Sequence, residues 1–198
     1  MNLDIFSPKA PPLFGLDISS SSVKMLEIVE AGKGSYRVER YVLEPLPRDA
    51  TVDGNISNRE SVVEAVKRGY KRLGTRAKHV AMAVPTGAVI TKKIIVPASL
   101  RENELEIQVE SEANQYIPFA LEEVNLDFQV VGPSPNSPEE QEVMIAATRK
   151  EKVEDRVAVA ESAGLKAAVM DIESFAQQSA LELVVKQLPG LQLQLKST

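Results

Sequence analysis

Asp17 and Lys24 stand seven residues apart in "FGLDISSSSVKMLEI" (residues 14 to 28), with four serines, Ser19 to Ser22, between them. A tight turn of this kind aims several backbone N–H groups into one concavity, a nest suited to phosphate oxygens. Ser19, Ser20, Ser21 and Ser22 would add hydroxyl donors. Asp17, at the mouth of the preceding apolar run, is a hard oxygen donor that can hold Mg²⁺ through water. Lys24, across the turn, can reach a β- or γ-phosphate. The same residues also make an ordinary polar hairpin, because Ser and Asp favour turns through local hydrogen bonds.

Other groups carry weaker signals. His79 is the only histidine, and there is no cysteine; a lone His at the start of an apolar strand reads as structural. Lys67, Arg68, Lys71 and Arg72 share a helix face, read as solvated, with a partner or anionic lipid as the alternative. Glu102, Glu104, Glu106, Glu110 and Glu112 crowd another helix, where acidic residues suit the first turn and the rest face solvent. "NQYIPF" (114 to 119) reads as a helix stop with Tyr116 and Phe119 in a core.

These residues need elements to position them. Residues 13–18 read as a buried strand, followed by strands at 23–31 and 35–44 around a "GKG" turn at 32–34. That is an antiparallel meander, ended by Pro45 and Pro47. Residues 57–74 read as a helix, with Ser57 and Glu60 at capping-box spacing and Val62, Val66, Tyr70 and Leu73 as its apolar stripe. A buried strand at 79–84 and a strand at 88–96 follow. A second box, Ser99 and Glu102, opens a helix running to Tyr116. Strands are expected at 124–131 and 142–148, with a mobile loop at 132–141 between them. Thr148 and Glu151 form a third box, opening a helix to Gly164; a strand at 165–172 and a helix at 173–188 complete the order. This predicts an α/β fold with a mixed sheet covered on both faces. The expected divisions are an extended tail (1–12), a core (13–86 and 149–188), an inserted strand-helix-strand-strand unit (87–148) and a frayed tail (189–198).

The chain has 198 residues, 43% of them hydrophobic and 26% charged, enough apolar material for one domain or two small ones. Its net charge of −5 makes non-specific nucleic-acid binding a poor expectation, since that needs dense Lys and Arg. Without cysteine there is no disulfide scaffold, thiolate metal site or Cys nucleophile, which suits a reducing cytoplasm. No apolar run approaches the roughly 20 residues of a spanning helix. The N-terminus lacks a basic stretch followed by an apolar core, so no signal peptide is expected.

Asp17 and Lys24 around the serine-rich turn of the first two strands resemble the phosphate-1 loop of the actin/Hsp70/FtsA ATPase superfamily. The inserted unit resembles the extra subdomain of FtsA, the SHS2 subdomain. More narrowly, "GLDISSSSVKMLEI", "AVITKKIIVP", "ESEANQYIPFALEEVNLDFQVVGPS" and "AGLKAAVMDIESFA" are similar to the PilM family, actin-like cytoplasmic proteins of type IV pilus assembly, from about residue 13 to 185. Where actin has Gly, this loop has Ser19. The resemblance implies an actin-like, RNase H-like core and ATP with Mg²⁺ bound in a longer parent. Asp17, Ser19, Ser20, Ser21, Ser22 and Lys24 would contact nucleotide, with Asp17 reaching the metal through water. The family has a second half carrying the other phosphate loop and the adenosine pocket. The chain resembles the first half only, so no cofactor is expected to bind this half alone. The resemblance also implies a cytoplasmic protein at the bacterial inner membrane. It would bind the N-terminal tail of the inner-membrane protein PilN in a cleft bordered by Val84, Val89, Tyr116, Ile117 and Phe119, with further platform or motor partners and no nucleic acid.

Two other functions compete. An ATPase or sugar kinase of the same superfamily would need the second half. An RNase H-type nuclease shares the three-strand opening and Asp17, but needs further carboxylates to hold two metals. Glu60 or Glu64 would serve on the first helix; "HVAMAV" (79 to 84) offers none.

Overall fold

A computed structural model describes residues 12–32 and 35–185. The tip of the "GKG" turn, residues 1–11 of the extended tail, the helix end beyond Val185 and the tail at 189–198 lie outside the described residues. The chain divides into two compact units, Met1–Ala83 with Asp155–Thr198, and Val84–Glu154.

The first unit is built on three consecutive strands, β1 (Leu13–Ile18), β2 (Ser22–Gly32) and β3 (Ser35–Pro45). Two short strands follow, β4 (Thr51–Val52) and β5 (Asn55–Ile56), then helix α1 (Arg59–Leu73) and strand β6 (His79–Val84). The main sheet has the order β10-β6-β1-β2-β3, where β10 is Lys166–Ile172. β1 runs antiparallel to β2 and parallel to β6, and β2 runs antiparallel to β3. The sheet is therefore mixed, as expected.

Alternation decides which side chains go inside. Phe14, Leu16 and Ile18 of β1, Val23 and Met25 of β2 and Val80 and Met82 of β6 are buried. They meet Val62, Val66 and Leu73 of α1 and Val159 and Ala160 of α3 (Lys150–Ser162) in one core. Burying each large side chain contributes about 1.5–3 kcal/mol. Gly69 lets α1 lie close to β2, since a Cβ there would come within 3.2 Å of the Met25 Cε. The last described element is α4 (Glu173–Val185).

The second unit is a strand-helix-strand-strand arrangement: β7 (Val89–Pro97), α2 (Glu102–Tyr116), β8 (Val124–Ser134) and β9 (Ser137–Arg149). β9 lies between β7 and β8, antiparallel to both. α2 sets Leu105 and Val109 against Ile94, Val96, Val143 and Ile145. Its last turn places Ala113 in a second cluster with Ile117, Val124 and Ala147.

Several local expectations need correction. The helix caps are displaced. The Asn58 Oδ1, rather than Ser57, accepts the Ser61 amide at 3.1 Å. At α2 the N-cap is Arg101 rather than Ser99, and its amide donates to the Glu104 carboxylate at 2.9 Å. Thr148 caps nothing: it lies in β9 and its hydroxyl donates to the Ala88 carbonyl at 2.8 Å. The loop expected at 132–141 is mostly strand, with only a short turn between Ser134 and Ser137. β9 pairs Glu140, Gln141 and Glu142 with Pro97, Val96 and Ile95 of β7, so backbone pairing on both sides overrides the Pro- and Ser-rich composition. The β4–β5 hairpin was not anticipated. Its turn residues Asp53 (φ 49°) and Gly54 (φ 77°) both take the left-handed conformation that a two-residue hairpin turn needs.

Candidate functional site

The serine turn is built by β1 and β2. Their register sets Asp17 opposite Lys24, and the Lys24 Nζ donates to the Asp17 Oδ2 at 2.8 Å. Both side chains are about half exposed (51% and 48%). An exposed pair of this kind contributes only about 0.2–1 kcal/mol, so either partner can exchange it for a ligand at small cost.

The four serines separate into two pairs. Ser19 and Ser22 close the turn: the Ser19 amide and hydroxyl both donate to the Ser22 carbonyl, at 3.0 and 2.9 Å. Ser20 and Ser21 are exposed at the tip. The Ser21 carbonyl accepts the Leu46 amide at 2.9 Å, and the Thr51 hydroxyl donates to the Ser19 carbonyl at 3.4 Å. The turn is thus held from behind while its tip stays open. Its donor set of exposed hydroxyls and one ammonium beside a carboxylate suits phosphate with a hydrated cation. In such a site Ser20, Ser21 and Lys24 would hold phosphate oxygens and Asp17 the metal's water.

One residue that sequence reasoning missed stands behind this turn. Arg156 of α3 is only 4% exposed. Its Nε donates to the Ala83 carbonyl at 2.9 Å and an Nη to the Gly54 carbonyl at 3.1 Å. Arg156 therefore ties α3 to the end of β6 and to the β4–β5 hairpin, and Thr51 of that hairpin reaches the serine turn. Burial pushes the guanidinium below its ordinary pKa, and the carboxylates of Asp17, Glu173 and Asp155 oppose that shift. The Asp53-Gly54 dipeptide was the one local signal for the hairpin; nothing in the α3 sequence marks Arg156 as buried.

The remaining candidates fall elsewhere. His79 is partly buried in β6. Arg68 and Arg72, expected on a solvated face, both hold Glu44 of β3, at 2.8 and 2.7 Å. Among the described residues no three His, Asp or Glu side chains converge as a metal cluster. In the second unit Val84 and Ile117 are buried and Val89 partly buried, whereas Tyr116 and Phe119 are exposed. Each exposed ring lies under a cation: the Lys92 Nζ is 4.4 Å from the Tyr116 centroid, and the Arg149 guanidinium 5.3 Å from that of Phe119. No helix among the described residues is long and apolar enough to cross a membrane.

The fold defines a class: an actin-like mixed α/β protein carrying a separate strand-helix-strand-strand unit. The chain belongs to the type IV pilus assembly protein PilM family, whose model matches residues 15–195. A solved structure described as the PilM-PilN type IV pilus biogenesis complex matches with a TM-score of 0.78 and 29% identity over 92% of this chain. The match takes in 53% of that structure's chain, so this chain spans about half its length. The cytoplasmic domain of Epsl, an inner membrane component of the type II secretion system of Vibrio cholerae, matches with a TM-score of 0.50 and 11% identity. That match covers 80% of this chain and 56% of the other, and speaks to the fold alone.

Proposed function

We propose that this chain is a cytoplasmic scaffold of type IV pilus assembly, bound to the N-terminal tail of PilN. Through PilN it would sit at the inner membrane and link the pilus platform to its motor. The observation that carries this reading is the likeness, over 92% of the chain, to the structure described as a PilM-PilN complex. The exposed rings of Tyr116 and Phe119 support it as part of an apolar contact surface on the second unit. Burying two or three apolar side chains of a short peptide, at about 1.5–3 kcal/mol each, less ordering costs of several kcal/mol, gives micromolar affinity. ATP with Mg²⁺ belongs to the same reading as a ligand of the longer parent, held at Asp17, Ser20, Ser21 and Lys24.

Calorimetry with a synthetic PilN tail peptide tests the scaffold. The expected result is saturable micromolar binding, weakened by Tyr116→Ala and Phe119→Ala with the fold unchanged by circular dichroism. A folded protein that gives neither heat nor amide shift changes at high micromolar peptide would refute it. An ATP titration beside it is expected to show little binding to this half alone.

A further inference from the structure

The end of α1 carries a charge imbalance that neither the serine turn nor the core uses. The chain has 28 acidic and 23 basic residues, yet no acidic one falls between Glu64 and Glu102. Residues 65–78 instead hold Lys67, Arg68, Lys71, Arg72, Arg76 and Lys78, all exposed. Spacings of three and four set Lys67, Arg68, Lys71 and Arg72 on one helix face. Gly74 then ends α1 in the left-handed conformation, φ 66°, and the turn that follows carries Arg76 and Lys78. The Lys78 Nζ lies 4.5 Å from the centroid of the Tyr70 ring, which holds it against α1. The Lys78 carbonyl accepts the Lys166 amide at 2.8 Å, bringing another exposed basic residue beside it.

Internal pairing removes only part of this charge. Glu64 takes Lys67, and Glu44 takes Arg68 and Arg72. Lys71, Arg76, Lys78 and Lys166 enter none of the ion pairs among the described residues. A helix C-terminus favours basic residues through its dipole, which accounts for Lys71 and Arg72 in the last turn. It does not account for Arg76, Lys78 and Lys166, which lie beyond the helix.

The chemistry of the patch selects among anions. Its cations are spread over a helix face, a turn and a strand end rather than gathered round one point, so it is not a cradle for a single phosphate. Single-stranded nucleic acid would need aromatic rings to stack on. Tyr70, the ring within the patch, is instead packed on Phe14 at 6.0 Å and covered by Lys78. A bilayer with anionic lipid attracts spread Lys and Arg without demanding a fixed geometry. We infer that the C-terminal end of α1, with Arg76, Lys78 and Lys166, is a contact surface for the anionic phospholipid headgroups of a bilayer. The choice of a bilayer rests on the reading that PilN holds the chain at the inner membrane. Each basic residue near such a surface strengthens binding about fivefold, so the contact is weak alone and orients a chain already tethered.

Flotation of the 198-residue chain with vesicles, without PilN, tests the lipid contact by itself; its failure would leave PilN binding standing. At low salt the chain should float with vesicles of phosphatidylglycerol and phosphatidylcholine in equal parts, and not with phosphatidylcholine alone. High salt should release it. Lys71→Glu with Arg76→Glu should weaken binding about tenfold or more. Both side chains are exposed, so this variant should keep the wild-type circular dichroism spectrum. Lys93→Glu with Arg101→Glu makes the same change of charge on the second unit and should cost far less. Free glycerol phosphate at matching phosphate concentration should not compete. A chain that ignores phosphatidylglycerol or binds phosphatidylcholine equally would overturn the inference. So would equal losses in the two double variants, or competition by glycerol phosphate. Tighter binding to polyglutamate than to the vesicles would also overturn it and assign the face to an acidic protein partner.

Discussion

Arg156 shows how one side chain can hold a site together without belonging to it. It sits in the interior with two backbone carbonyls as acceptors, from Ala83 and Gly54. Removing the guanidinium strands both acceptors, and each buried unsatisfied group costs about 1–3 kcal/mol. Arg156→Met is therefore expected to lower unfolding free energy by about 2–4 kcal/mol in urea titrations. Arg156→Lys should recover part of that, because an ammonium cannot present the planar fork to two separated carbonyls. Glu44 gives a pH-dependent counterpart. Hydrogen bonds from Arg68 and then Arg72 hold its carboxyl below the ordinary glutamate range, against a smaller opposing effect of burial. A depressed folded pKa stabilises the protein above the unfolded value, and that stabilisation is lost as pH falls through the folded value. The wild type should thus lose more stability than Glu44→Gln between neutral pH and pH values below the glutamate range. Because both arginines are more than half exposed (53% and 60%), the difference should be modest, about 1 kcal/mol or less. Equal acid sensitivity in the two proteins would remove Glu44 from the account.

Elements followed their hydrophobic periodicity wherever packing agreed with it. α1 buries Val62, Val66 and Leu73 on the stripe the sequence predicts. Caps were read less well, because several adjacent residues of 57–60 and 99–104 can serve as caps and only the chain's entry angle selects among them. The stretch 132–141 shows the larger failure. Three prolines and two serines there look like a loop, yet β9 threads between β7 and β8. The Ala98 amide even continues the pairing, donating to the Glu139 carbonyl at 2.8 Å. Hydrogen exchange should accordingly find the amides of Gln141 and Glu142 slowed well below free-loop rates. Exchange at random-coil rates there would mean that the strand ends near Val143.

At the scale of the molecule, each unit has a core of its own. The cluster around Phe14, Val62 and Val159 draws all its residues from the first unit, and those around Val109 and Ala113 draw theirs from the second. A unit with its own core can fold alone. Replacing residues 87–148 with a short linker should therefore leave a folded first unit, with dispersed amide resonances and a near-ultraviolet circular dichroism signal. Collapse to a molten globule would show that the first core depends on the second unit.

The sequence alone determined the order of the elements apart from the β4–β5 hairpin, the mixed character of the sheet and the placing of Asp17 and Lys24 on either side of one hairpin turn. All three depend on local chemistry: periodicity, turn residues, and a hairpin that brings neighbours in the chain together. Its motifs also carried the resemblance to the PilM family. It could not show that Ser19 and Ser22 close the turn while Ser20 and Ser21 stay open, since that depends on which oxygens the folded backbone presents. Nor could it identify Arg156 as the buried cation behind the turn, about 140 residues downstream of Asp17. Burial is a property of what the rest of the chain places against a residue, and only the tertiary structure decides that.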